Sequence, residues 1–114
     1  MDSKRKVVLV TGGARGIGRS TIIEFAKKNY DVVINYCHSE ADSNELKEFV
    51  EKEYNVSALV IKASVSNESE VEAMVEQVIE VFGHIDVLVN NAGIAIDTTF
   101  DDKTYDNFME TLKV

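Results

Sequence analysis

Val7-Val8-Leu9-Val10-Thr11-Gly12-Gly13-Ala14-Arg15-Gly16-Ile17-Gly18 joins an unbroken apolar run to a turn spaced Gly-x-x-x-Gly-x-Gly, and a helical pattern starts where the turn ends. The run reads as a β-strand buried on both faces, because its β-branched residues suit a pleated surface and no polar alternation marks a wet side. Gly12 can take backbone angles closed to other residues, Gly16 lets the main chain approach a bound group, and Gly18 lets the new helix pack closely on the strand. The helix start aims unpaired N–H groups and the positive end of its dipole at the turn, a geometry suited to a pyrophosphate. A glycine triplet alone is a weak signal. Here the strand before it and the helix after it supply the required context, although the spacing differs from the commoner Gly-x-Gly-x-x-Gly.

Outward from this stretch the chain alternates. Val32 to Asn35, Ala58 to Ile61 and Asp86 to Asn90 are further β-rich runs, each separated from the next by an amphipathic segment. Ile22, Ile23, Phe25 and Ala26 line the first helix, and Leu46, Phe49, Val50 and Tyr54 mark the second. In the third, Val71, Met74, Val75, Val78 and Phe82 recur at helical spacing with glutamates on the opposite face, and Asn67 with Glu70 has the form of a capping box. A last helix is predicted from Asp102, with Tyr105, Phe108, Met109 and Leu112 on one stripe. The order βαβαβαβα predicts an α/β fold: a partial, doubly wound parallel sheet of Rossmann type, ordered 3-2-1-4, forming one domain over residues 1–114.

Composition narrows the function classes. With 114 residues the chain suffices for one domain with a real core, and no proline, repeat or low-complexity tract divides it. A formal net charge of −8 argues against nucleic acids and acidic membranes, both polyanions. No apolar segment has the length of a signal peptide or a membrane span, and Cys37 is the single cysteine, so a reducing, cytoplasmic setting is expected. Glu68, Glu70, Glu72 and Glu76 share their helix with no histidine, which gives no metal site. His84, after Gly83, is expected to cap the third helix.

The turn Thr11-Gly12-Gly13-Ala14-Arg15-Gly16-Ile17-Gly18, together with Asn90-Asn91-Ala92-Gly93 at the end of the fourth strand, resembles the short-chain dehydrogenases/reductases. Within that family the similarity is to the 3-oxoacyl-(acyl carrier protein) reductase-like members, and it covers the N-terminal portion of the family's pattern. The resemblance implies that Thr11, Gly12, Ala14, Arg15, Gly16, Ile17 and Gly18 wrap a cofactor pyrophosphate. It also implies that the backbone of Asn91, Ala92 and Gly93 lines the nicotinamide-side ribose, while Asn90 braces the central strands.

Charge points to the cofactor. NAD-selective sites place an acid at the end of the second strand for the ribose 2′-hydroxyl. This chain instead reads Ile34-Asn35-Tyr36-Cys37-His38-Ser39, with Asn35 and Tyr36 as neutral candidate contacts, and it carries Arg15 in the glycine turn. The resemblance reads Arg15 as a 2′-phosphate contact, so NADP(H) is the expected cofactor. After the third strand the family's Asp-Val, which contacts adenine, is replaced by Ser64-Val65, a departure that weakens that contact without removing it.

The resemblance further implies a catalytic tyrosine and lysine, with a serine and an asparagine, all beyond the fourth strand. None of Tyr30, Tyr36, Tyr54 and Tyr105 is followed by a lysine four residues later. No catalytic residue is therefore assigned. The chain is expected to bind nucleotide without catalysing reduction, with a small carbonyl or acyl-thioester substrate only when the rest of the family's pattern is present. Two explanations stay open: the cofactor-binding part of an NADPH-dependent oxidoreductase, which the intact turn favours, or a short, inactive nucleotide-binding or interaction module. An uncovered fourth strand and the Phe108 stripe would also favour self-association.

Overall fold

The computed structural model describes residues 5–91 and the backbone of residues 95–97. Four strands, β1 (Val7–Val10), β2 (Asp31–Tyr36), β3 (Ala58–Lys62) and β4 (Val87–Val89), alternate with helices α1 (Gly16–Lys27), α2 (Glu40–Tyr54) and α3 (Glu68–Phe82). The strands pair in parallel in the order β3-β2-β1-β4. This is the doubly wound arrangement expected from the alternation of buried runs and helical stripes. The helix predicted from Asp102 lies outside the described residues.

One element was not foreseen. β5 (Ala95–Asp97) lies antiparallel against β4, with Leu88 opposite Ile96, so the fourth strand is not the open edge the sequence implied. Its brevity hid it, since three residues are too few to show a period. The edge argument for self-association loses its premise here, and the Phe108 stripe lies outside the described residues.

Alternating side chains explain why both sheet faces need cover. Val7 and Leu9 point to one side, where they pack with Val33 and with Val71, Met74, Val75 and Val78 of α3. Val8 and Val10 point to the other, against Ile22 and Ala26 of α1 and Leu46 and Val50 of α2. Phe49, expected on the α2 core stripe, instead stands at the surface, its ring edge-on to Tyr54 at 6.0 Å.

The helix ends refine two expectations. Asn67 caps α3 by accepting a hydrogen bond from the Glu70 amide at 3.2 Å, but the Glu70 carboxylate accepts from the Ser64 amide at 2.8 Å rather than from Asn67. The box therefore closes on the β3–α3 loop. At the other end Gly83 (φ 87) terminates the helix, donating to the Ile79 carbonyl at 2.8 Å. His84 does not cap it: its Nε2 lies 3.0 Å from the Asp86 carboxylate and 3.2 Å from the Arg5 carbonyl. Asp86 in turn accepts from the Val7 amide at 2.8 Å, so this pair ties the starts of β1 and β4 together.

Candidate functional site

The carboxyl ends of the four parallel strands open onto one cleft of about 360 Å³. Thr11 and Gly12 reach it from β1, Asn35 and Cys37 from β2, Ala63 to Ser66 from β3, and Asn90 and Asn91 from β4. Its position follows from topology: the chain leaves β1 toward β2 and returns to β4 on the other side, and the connecting loops part where the order reverses.

The glycine turn is shaped by contacts that the glycines permit. Gly12 and Gly16 have φ of 62 and 58, in the left-handed region that side chains disfavour. A Cβ added at Gly16 would meet nothing within 4 Å, which leaves room for a ligand to approach the backbone. Gly18 serves packing: a Cβ there would collide with the Gly12 carbonyl oxygen and lie 2.9 Å from the Gly13 Cα. The first turn of α1 thus sits directly on the loop. Among its residues Ile17 is 78% exposed, whereas the Ala14 side chain is buried in the core and offers the site only its backbone.

Polar side chains lock the loop to the strands. Thr11 is buried; its amide donates to the Val89 carbonyl at 3.0 Å and its hydroxyl oxygen accepts from the Asn91 amide at 3.0 Å. The same hydroxyl lies 3.4 Å from Asn90 Oδ1, in keeping with a bracing role for Asn90. The Asn91 side chain donates to the Gly12 carbonyl at 3.3 Å. Asn35 is also buried: its Oδ1 accepts from the Gly12 amide at 3.2 Å and its Nδ2 donates to the Ala63 carbonyl at 3.1 Å. Its side-chain amide is engaged with the chain on both sides. Among the described residues no buried side-chain polar atom lacks a partner.

At the rim, Arg15 is exposed and its guanidinium lies 3.4 Å from the Ser39 hydroxyl and 3.9 Å from the Asp42 carboxylate, both at the start of α2. Tyr36 is half-buried against the α1–α2 side of the sheet. Val65 is exposed in the cleft wall, and Ser64 shares a 2.8 Å hydrogen bond with Ser66. Ala92 and Gly93 lie outside the described residues. Cys37, read from sequence as a small structural residue, proves to line the cleft, with its Sγ 3.4 Å from the exposed His38 ring. Its place one step beyond β2 is the signal that marks such lining positions.

The sequence profile of the short chain dehydrogenases matches residues 6–114. The chain belongs to this family. To the 3-oxoacyl-[acyl-carrier-protein] reductase FabG of Staphylococcus aureus strain Mu50 it is 44% identical over 92 residues, covering 81% of this chain and 37% of that protein. The chain thus spans little more than a third of that reductase's length. To the short-chain dehydrogenase/reductase homolog YusS of Bacillus subtilis it is 37% identical over 102 residues, covering 90% of this chain and 93% of YusS. Solved structures agree. An alcohol dehydrogenase from Thermococcus sibiricus complexed with 5-hydroxy-NADP superposes with a TM-score of 0.71 at 27% identity, over 75% of this chain and 36% of that one. The NADPH-dependent 3-quinuclidinone reductase from Rhodotorula rubra gives 0.70 at 25%, over 76% and 32%. In this member of the family the glycine turn and the Asn90-Asn91 segment stand side by side at the mouth of one cleft, joined through Thr11. Thr11 and Gly12 of the first motif and Asn90 and Asn91 of the second therefore line the same cleft. Among the described residues no cluster of side chains suits a metal ion, and no helix is long and apolar enough to cross a membrane.

Proposed function

We propose that this chain is the cofactor-binding part of an oxidoreductase that uses NADP(H) to reduce a ketone or a 3-oxoacyl thioester. The observation that carries the reading is the glycine turn, whose Gly16 backbone faces open space at the start of α1, beside a cleft at the strand ends. In it, backbone N–H groups at the start of α1 hold the pyrophosphate, and Ser64 and Val65 flank the adenine. The backbone of Asn91 lines the nicotinamide ribose. Bound NADPH supplies the hydride. The proton-donating tyrosine and its lysine that the family resemblance implies have no counterpart in these 114 residues. Likeness to an acyl-carrier-protein reductase and to an NADPH-dependent ketone reductase supports the reading, and a cytoplasmic setting suits it.

Selection of NADP(H) rests on Arg15. Ile34 through Ser39 contains no acid, and the carboxylate paired with Arg15, Asp42, is half-exposed at 3.9 Å, a weak pair that a 2′-phosphate would displace. Arg15→Ala is expected to weaken NADPH binding by about 1 to 3 kcal/mol while leaving NADH nearly unchanged, the scale of a charge-assisted hydrogen bond. Titration calorimetry with both nucleotides checks this; equal losses would show that Arg15 does not read the phosphate.

A second reading is a nucleotide-binding module without catalysis, favoured by the match to YusS over 93% of its length. Purified chain of these 114 residues, assayed with NADPH and an acetoacetyl thioester, is expected to bind the nucleotide and leave the thioester unreduced. Turnover by mass-verified chain would place the proton donor among the tyrosines present.

A further inference from the structure

At the site end of β2 the Asn35 side chain reaches the turns on both sides of the strand. It is only 2% exposed, in the penultimate position of β2. Its Oδ1 accepts from the Gly12 amide at 3.2 Å, and its Nδ2 donates to the Ala63 carbonyl at 3.1 Å and approaches the Ile61 carbonyl at 3.5 Å. Its backbone adds a further tie, the carbonyl accepting from the Gly13 amide at 2.9 Å. The glycine turn and the β3–α3 loop form facing walls of the cleft, and the Asn35 carboxamide spans the gap between them.

We propose that Asn35 is a positioning residue: its carboxamide clamps the glycine turn to the end of β3, setting the shape of the turn and the separation of the two walls between which a dinucleotide lies. The inference rests on the reading of the cleft as a nucleotide site. The chemistry demands a carboxamide in particular. Gly12 presents a donor and Ala63 an acceptor, so the bridging group must accept at one end and donate at the other. A carboxylate accepts at both ends and leaves the buried Ala63 carbonyl without its donor; a leucine does neither and takes the acceptor from the Gly12 amide as well. Because the clamp acts on the turn rather than on the 2′-phosphate, its loss affects both nucleotides alike, unlike the loss of Arg15.

Two variants of the full chain test this. Asn35→Leu keeps the branching of the side chain at Cγ and removes the bridge; the affinities for NADPH and NADH are each expected to fall about tenfold or more, with their ratio unchanged. The Gly12 amide should exchange faster with solvent while the amides of Val32 and Val33 keep their protection. Asn35→Asp supplies the conservative rescue. Ionised, its carboxylate opposes the Ala63 carbonyl; protonated, it accepts from Gly12 and donates to Ala63 as the amide does. Its affinity relative to the parent chain should therefore rise as pH falls from about 8.5 to about 5.5, since burial raises a carboxyl pKa. Arg15, Cys37, His38, Lys62 and Glu70, the titratable groups on the neighbouring segments, are common to both proteins and cancel in that ratio. Unchanged nucleotide affinity and Gly12 exchange in Asn35→Leu would overturn the clamp, as would a ratio for Asn35→Asp that stays flat with pH. Should the parent chain bind neither nucleotide, the nucleotide-site reading itself fails; Gly12 exchange then still reports whether the bridge shapes the turn.

Discussion

Replacing Gly18 with alanine is expected to destabilise the fold by about 1 to 3 kcal/mol or more and to abolish measurable nucleotide binding. The added methyl has nowhere to go. It would strike the Gly12 carbonyl oxygen and come within 2.9 Å of the Gly13 Cα, and these are backbone atoms, not the tip of a flexible side chain. To accept it, either the first turn of α1 must lift from the loop or the loop must shift toward β4. The loop is held by Asn35 through Gly12 and by Asn91 through the Gly12 carbonyl, so a shift breaks those bonds as well. Gly16→Ala is the informative control. A methyl there meets no atom within 4 Å, so its cost is only that of a left-handed backbone, roughly 1 to 2 kcal/mol. Denaturant unfolding and nucleotide titration of both variants separate the effects. A Gly18→Ala protein as stable as its parent would show that α1 does not press on the turn as described.

Leu9→Ala carries the largest expected loss of stability, about 2 to 5 kcal/mol. Leu9 is fully buried at the middle of β1, between Val33 of β2 and Leu88 of β4, on the face covered by α3. The strands on either side are hydrogen-bonded in place, so the space left by the side chain has little freedom to collapse. For a domain stable by roughly 5 to 15 kcal/mol, that is a large fraction. Ile17→Ala, by contrast, removes a side chain 78% exposed at the mouth of the turn and should alter stability by less than about 0.5 kcal/mol. A denaturation midpoint that moves as little for Leu9→Ala as for Ile17→Ala would contradict the assignment of the sheet centre.

Elements whose cause is local were legible in the amino-acid order. Val7 to Val10 form a strand and residues 16–27 a helix because the apolar period and the glycine spacing belong to consecutive residues. The αL end of α3 at Gly83 and the Asn67 cap are local in the same sense. The two site motifs were legible for the same reason, and the parallel order of strands followed from connections too long for hairpins.

What the sequence could not determine depends on partners distant along the chain. Asn35 reads as a neutral candidate contact for the cofactor; only the pairing of β2 with β3 and the return of the glycine turn bring Gly12 and Ala63 within reach of its amide. His84 reads as a helix cap, yet the meeting of the β1 and β4 starts sets it against Asp86 and the Arg5 carbonyl. β5 is too short to show a period and is defined by its hydrogen bonds to β4. Local order thus determined the elements and the motifs, through periodicity and backbone freedom. The tertiary structure decided which polar groups each side chain meets, because a hydrogen bond is set by the position of both its partners.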